Sequence, residues 1–192
     1  MLRFKKSCRQ RDRRGISWSL TALYRCLAVM AETLTYRLMH LTDVLNVSDL
    51  IARVYNELVA SEHSPEGVQE FYRYIQPSAF LARQESNHFT LISVLQNNVV
   101  GIIEVRDYNH ISLLFVATEY QRRGIAKELF HRAMQICQSN KPGLSRVSVN
   151  ASLYAVPIYE KLGFRGIREK QVINGISFVP MVLHLSKLES TK

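Results

Sequence analysis

The chain has 192 residues, 47% of them hydrophobic and 21% charged, which suits one globular domain with a sizeable core. Its formal net charge is +9, yet residues 1–29 hold eight Lys or Arg against one acid, whereas residues 30–192 hold seventeen against fifteen. The nearly balanced body argues against the clustered basic surface that nucleic-acid binding requires, and no apolar run reaches the roughly 18 residues that indicate a membrane span.

The N-terminal extension, residues 1–29, differs from the rest of the chain. A basic segment precedes a moderately apolar one, an order that resembles a secretory signal peptide or an Arg-rich amphipathic targeting or membrane-surface segment. Arg25 interrupts the apolar part, which weakens the signal-peptide interpretation. We expect instead that the extension is not part of the fold, that Met30 is the functional start, and that residues 30–192 form a single domain.

Residue spacing predicts the elements of the first part of this domain. Residues 35–39 alternate like a short strand, and Thr42 can cap a helix that runs to about Ala60. Ser64, followed by a proline and a glutamate, is a second helix start. That helical region continues to about residue 83, with a break at Pro77.

The period then changes to that of strands. A turn at 96–98 joins two of them into an antiparallel hairpin. The predicted strands of the second part are 88–95, 99–106, 111–117, 146–150, 164–170 and 176–185, and its predicted helices are 125–138 and 156–162. A meander followed by strand–helix–strand gives a mixed sheet with helices on its faces, so the fold class is α+β or mixed α/β.

The stretch QRRGIA, residues 121–126, follows a predicted strand and opens a predicted helix. A helix N-terminus leaves about four backbone N–H groups without intrahelical partners and carries positive potential, which makes it an anion site. Gly124 and the small Ala126 let a phosphate approach the backbone, and Arg122 and Arg123 add charge. The stretch therefore indicates a pyrophosphate site, although both GxxxxGK[ST] and GxGxxG are absent.

The stretch 121–126 resembles the [QR]xxGx[GA] motif of the GNAT superfamily, the acetyl-CoA-dependent N-acetyltransferases. Residues 150–164, NASLYAVPIYEKLGF, are similar to that family's fifth strand and following helix, and residues 174–181 resemble the last hairpin of many bacterial members. Many members carry proline where this chain has Thr118. The resemblance covers roughly residues 34–186.

The resemblance implies a twisted, mostly antiparallel sheet of about six or seven strands flanked by about four helices. The fourth and fifth strands splay apart, and the pantetheine arm of acetyl-CoA lies between them, pairing with strand backbone as an added strand would. The expected cofactor-binding residues are Phe115, Val116, Gln121, Arg122, Arg123, Gly124, Ile125, Ala126, Lys127, Asn150 and Ser152.

Tyr159 stands where the family has the general acid that protonates the departing thiolate. A phenol with a pKa of about 10 is protonated at neutral pH and suits this role. The alternative is that Tyr159 only packs against Leu162 and Phe164. The backbone N–H of Val116 is the donor that the resemblance suggests for the oxyanion.

The base that removes the proton of the amine has no fixed position in the family. Glu104, in an otherwise apolar strand, and His110 are the candidates. Pairing with Arg106 on the same face is the structural alternative for Glu104. Cys137 lies on the apolar stripe of its helix and is expected in the core, which fits direct transfer without an acetyl-enzyme.

Three functions remain open: an acetyl-CoA:amine N-acetyltransferase, a CoA-binding regulatory module without turnover, and a nucleic-acid- or membrane-associated protein with a basic tail. Tyr159 together with the complete phosphate motif favours the first over the second. We expect residues 57–74 and the last hairpin to shape the site of the acceptor, which is a small molecule or a protein amine. A homodimer is compatible with the resemblance.

No metal is expected, because the six histidines form no ligand-spaced cluster. The three cysteines, an odd number, form no CxxC pair. This favours a reducing compartment over a disulfide framework. We therefore expect a cytoplasmic protein.

Overall fold

The structure, a computed structural model, describes residues 33–84 and 86–185. The compact unit that contains nearly all of them begins at Thr35. The expectations for residues 1–29 and for a start at Met30 lie outside the described residues. None of the described helices combines the length and the hydropathy of a membrane span.

The described residues form eight strands and five helices. The strands are β1 (Thr35–Leu38), β2 (His88–Leu95), β3 (Asn98–Arg106), β4 (His110–Val116), β5 (Arg146–Ala151), β6 (Arg165–Gly166), β7 (Gln171–Ile173) and β8 (Ile176–His184). The helices are α1 (Val44–Leu58), α2 (Pro65–Ile75), α3 (Pro77–Gln84), α4 (Ile125–Asn140) and α5 (Val156–Lys161).

The strands form a sheet in the order β1-β2-β3-β4-β5-β8-β6, and β7 pairs with β8. Every pair is antiparallel except β4–β5, which is parallel and joined only at His110–Ser148 and Ile111–Val149. Beyond these two pairs the strands separate, β4 continuing to Val116 and β5 to Ala151. The expected α+β fold and the splay between the fourth and fifth strands are confirmed.

Helices cover both faces of the sheet. Val47 and Ile51, on the apolar stripe of α1, are fully buried and cluster with Ile102 of β3. The preceding strand residue, Gly101, faces the other side of the sheet, where a Cβ built on it would lie 3.1 Å from Ile125 of α4. The core therefore consists of two layers, and α1 and α4 hold the middle strands between them.

Two predicted boundaries are wrong. The first helix begins at Val44, after a short 3-10 turn, and Thr42 is not its cap. The residue before the helix is Asp43, whose carboxylate binds the Arg37 guanidinium at 2.6 and 2.9 Å. The residues around Thr42 suggested a helix cap, but they gave no sign that Arg37, on β1, binds the Asp43 carboxylate.

The predicted strand 164–170 is reduced to β6, and a separate strand, β7, follows it. The Ile167 N–H donates to the carbonyl oxygen of Pro180 at 3.0 Å, so Pro180 directs its main-chain groups toward this side. Proline has no N–H to donate in return, which ends the ladder there. Pairing with β8 resumes at Phe178, opposite Gln171.

Candidate active site

A cavity of about 1090 Å³ lies where β4 and β5 separate. One wall is formed by β4 and by the start of α4, and a second by β5, the loop after it and α5. The end of α1, the residues after it, α2 and the β7–β8 hairpin close the remaining side. The splay therefore creates a cleft large enough for a ligand of substantial size.

The main chain of β4 faces this cleft at Val116. The next residue, Ala117, donates its N–H to Val100 of β3 at 2.9 Å. Because successive residues of a strand direct their N–H and C=O groups to opposite edges, those of Val116 point away from β3 and toward the gap. The Val116 carbonyl accepts a hydrogen bond from Gln121 Nε2 at 3.1 Å. Its N–H is left directed at the cleft.

The cradle, residues 121–127, joins β4 to α4. Among the described residues, no acceptor bonds any backbone N–H from Arg122 to Lys127. The first bond of this helix end is from the Glu128 N–H to the Gly124 carbonyl, at 3.0 Å. Arg122 and Gly124 have positive φ, +58° and +83°, a pattern that turns successive N–H groups toward a common point. The cradle thus presents a row of free donors at the positive end of a helix.

The side chains of the cradle leave its centre open. A Cβ built on Gly124 would meet no atom within 4 Å. Arg122 and Lys127 are exposed and line the cavity, whereas Arg123 turns away and stacks its guanidinium on the Tyr120 ring, 5.2 Å from the centroid. The predicted cofactor-binding residues that line the cavity are Phe115, Val116, Gln121, Arg122, Gly124, Ile125, Ala126, Lys127, Asn150 and Ser152.

The β5 side contributes polar groups of two kinds. Asn150 is exposed on the cavity wall, so its amide is free to donate and accept. The Ser152 hydroxyl accepts a hydrogen bond from the Ala155 N–H at 3.2 Å and so stabilises the turn before α5.

Tyr159 lies on α5 and lines the same cavity. It is 4% exposed, and its ring packs edge-on against Phe164 with centroids 5.3 Å apart. Burial raises the pKa of the Tyr159 hydroxyl, so the hydroxyl stays protonated at neutral pH. Tyr159 therefore packs against Phe164 and also contributes to the wall of the cavity.

The two candidate bases have different surroundings. Glu104 is fully buried and does not line the cavity; it pairs with Arg83 at 3.0 Å and accepts a hydrogen bond from the Tyr74 hydroxyl at 3.2 Å. The pairing with Arg106 that the sequence suggested is wrong, since Arg106 lies 3.6 Å from Asp107 instead. The Arg83–Glu104 pair joins α3 to β3 over 21 positions, a separation at which no local pattern could have found it.

His110 lies on the cavity wall, at the point where β4 and β5 still pair. Its Nδ1 is 2.9 Å from the Ser148 hydroxyl, which itself donates to the Asn109 carbonyl at 3.4 Å. This arrangement favours a proton on Nδ1 and a free lone pair on Nε2. Burial, together with the nearby Arg106 charge, lowers the pKa of His110 to about 4, so the ring is neutral at physiological pH.

Sequence reasoning missed the aromatic part of the cavity. Phe71 and Tyr74 of α2 line it, and the Phe71 ring lies 6.0 Å from Phe115 of β4. Amphipathic spacing alone could not distinguish these rings from ordinary core residues. In the part of the chain that the structure describes, no three His, Cys, Asp or Glu side chains form a possible metal site. Cys137 is buried, as expected.

The acetyltransferase (GNAT) domain model matches residues 59–185, more than half of the chain. The chain belongs to the GNAT acetyltransferase family. This confirms the predicted family and, at the level of the family, the acyltransferase class. The matched region contains the cradle, both diverging strands and Tyr159.

Similar proteins agree with this assignment. The uncharacterized N-acetyltransferase YafP of Escherichia coli K12 is 31% identical over 81 residues, which are 42% of this chain and about half (49%) of YafP. A GCN5-related N-acetyltransferase from Rhodopseudomonas palustris has a TM-score of 0.67 at 23% identity, covering 80% of this chain and 96% of its own. The PaiA N-acetyltransferase of Thermoplasma acidophilum, solved in complex with coenzyme A, has a TM-score of 0.65 at 17% identity, covering 80% and 99%. At these identities the two structures show the fold alone.

Proposed function

We propose that this GNAT domain transfers the acetyl group of acetyl-CoA directly to a primary amine within a ternary complex. The observation that supports this most strongly is the row of unbonded backbone N–H groups at residues 122–127, which opens onto the cleft between β4 and β5. Unbonded donors at a helix start favour a phosphate ligand, and the adjoining cleft has room for the rest of the molecule.

In this proposal the diphosphate of CoA binds the cradle amides, with Arg122 and Lys127 adding charge. The pantetheine amides bind main-chain groups of β4 that face the gap, and the Val116 N–H is left for the thioester carbonyl. Asn150 binds the arm from the β5 side. No large rearrangement is required, because the relevant donors have no partner within the described residues.

Acetyl-CoA supplies an activated acyl group as a thioester. The uncharged amine nitrogen bonds to the carbonyl carbon to give a tetrahedral intermediate, and the C–S bond then breaks so that CoA leaves as the thiol. The Val116 N–H stabilises the negative charge that develops on the carbonyl oxygen. Tyr159 donates its proton as the thiolate departs. His110 Nε2 accepts a proton from the nitrogen once that nitrogen has bonded to carbon, when it is more acidic than the free ammonium group.

We expect the acceptor to be an amine with an apolar or aromatic body rather than a polyamine. Within the described residues, α1, α2, their connection and the β7–β8 hairpin contribute a single carboxylate to the cavity wall, that of Glu70. This carboxylate lies 2.9 Å from the Arg73 guanidinium, so its charge is already balanced. Most of the other side chains that these elements place on the wall are aliphatic or aromatic.

The proposal is tested in two steps with the full chain. Calorimetry with CoA and with acetyl-CoA measures binding, and thiol release in the presence of aromatic amines, alkyl amines, polyamines and peptides measures transfer. We expect binding of both cofactor forms and transfer to at least one monoamine. Binding without transfer to any amine would favour a CoA-binding regulatory module, and absence of binding would refute the cradle.

A further inference from the structure

Glu62 lies outside the cavity, on the connection between α1 and α2, yet its carboxylate reaches the loop that follows β5. Oε2 accepts a hydrogen bond from the Leu153 N–H and Oε1 accepts one from the Tyr154 N–H, both at 2.7 Å. Such charge-assisted bonds are short and directional. They hold the two peptide groups that precede α5, the helix of Tyr159.

Tyr154 continues this contact across the open end of the cleft. Its hydroxyl donates to Gln121 Oε1 at 3.1 Å, and Gln121 Nε2 donates to the Val116 carbonyl at 3.1 Å. Tyr154 follows β5 and Gln121 follows β4, the two strands whose backbones pair only near their beginnings. At the open end, this series of hydrogen bonds takes the place of the missing strand pairing.

The same connection also contacts the β7–β8 hairpin, whose strand β8 pairs with β5. The Ser64 N–H donates to the Gly175 carbonyl at 3.0 Å, at the tip of the β7–β8 hairpin. Gly67 packs so closely there that an added Cβ would lie 2.2 Å from the Gly175 oxygen. The residues that follow Glu62 are therefore attached to the hairpin beside β5, which makes the connection a suitable anchor for the loop after β5.

We propose that Glu62 and Tyr154 are positioning residues that set the width of the cleft and the orientation of the Val116 peptide before CoA binds. Neither is assigned a contact with the reacting atoms; both act through Gln121 and the Val116 carbonyl. The inference rests on the proposed function, since it concerns the same cleft. A cleft held at its working width binds CoA without spending binding energy on closure.

The test is a double-mutant cycle on CoA affinity, measured by calorimetry on Glu62→Ala, Tyr154→Phe and the double variant. We expect the dissociation constant to rise about tenfold for Glu62→Ala and about threefold for Tyr154→Phe, the scale of a few lost hydrogen bonds. The dissociation constant of the double variant should rise no more than about tenfold, because both changes break the same series of contacts. Glu62→Gln, which keeps one acceptor oxygen, should recover part of the loss. Glu66→Ala, at a neighbouring acid on α2, is the matched control and should bind as wild type does.

Each outcome decides the question. Wild-type affinity in both single variants overturns the inference and leaves the proposed function intact, provided that the wild-type chain binds CoA. If the two increases in the dissociation constant multiply in the double variant, Glu62 and Tyr154 do not act through the same series of hydrogen bonds. If Glu62→Ala does not fold, the same cycle with Glu62→Gln replaces it. If the wild-type chain binds no CoA, the proposed function and the inference fail together.

Discussion

Two glycines provide a matched test of the proposed binding of a diphosphate by the cradle. Gly124 and Gly143 both have left-handed backbones, with φ of +83° and +79°, and a Cβ built on either meets no atom within 4 Å. Gly124 is the residue before α4, and Gly143 lies in the loop after it. Replacing each with alanine therefore applies the same local change at the two ends of one helix.

The two substitutions should cost similar stability and differ in cofactor binding. A non-glycine residue in this backbone region costs roughly 1–2 kcal/mol, which lowers the Tm of a chain of this size by about 2–8 °C. Gly124→Ala additionally places a methyl group where, in the proposed function, a phosphate approaches the amides. Losing one amide–phosphate hydrogen bond costs about 1.5–3 kcal/mol, equivalent to a rise in Kd of about 10- to 150-fold.

Calorimetry with CoA and thermal unfolding without it separate the two effects. We expect Gly143→Ala to unfold earlier and bind CoA normally, and Gly124→Ala to unfold at a similar temperature and bind at least tenfold more weakly. If both variants bind CoA as tightly as wild type, the turn at Gly124 does not hold the diphosphate. If both bind equally poorly, the loss reflects general destabilisation rather than the cradle.

Three further predictions concern single side chains. Tyr159→Phe should lower kcat by about 10²- to 10⁴-fold, with CoA affinity by calorimetry unchanged; retained turnover would exclude the general-acid role. Because the pKa of His110 is lowered to about 4, the unfolded chain takes up its proton first as pH falls through about 6.5, and stability is lost between that value and about 4. His110→Asn should remove about 2 kcal/mol of this loss at pH 5, measured as the change in unfolding free energy from pH 7; an unchanged pH dependence would contradict the burial of this ring. Arg83→Ala should destabilise by about 3–5 kcal/mol in urea unfolding, because it leaves a buried carboxylate on β3 unpaired, whereas Arg73→Ala, at an exposed pair, should cost less than about 1 kcal/mol; equal costs would mean that the buried pair has no special weight.

The cradle could be predicted from the sequence because its physics is local. A strand end, a left-handed glycine and a helix start occupy consecutive residues, so composition and spacing in 121–126 contain nearly all the information. The same holds for the hairpin of β2 and β3, whose turn residues Gln96 and Asn97 adopt the positive φ that the prediction requires.

Contacts between distant segments were not predictable in this way. Arg83 and Glu104 pair across 21 positions, and Glu62 reaches Tyr154 across 92. Nothing in the neighbourhood of Glu62 distinguishes it from Glu66, which binds the Ser64 hydroxyl within its own turn. Only the packing of α1 and α2 against the sheet decides which carboxylate meets the loop after β5.

The cleft combines two kinds of unsatisfied main-chain group. The diverging edge of β4 offers the N–H of Val116, as an unpaired strand would, and the helix start beside it offers the amides of residues 122–127. A ligand with only phosphates would satisfy the helix start and leave the strand edge unpaired, whereas a peptide-like ligand would do the reverse. Acetyl-CoA carries a diphosphate, an arm with two amides and a terminal thioester carbonyl, so one molecule can satisfy both. This pairing of requirements favours CoA over a simple nucleotide more strongly than the charge of the cradle does by itself.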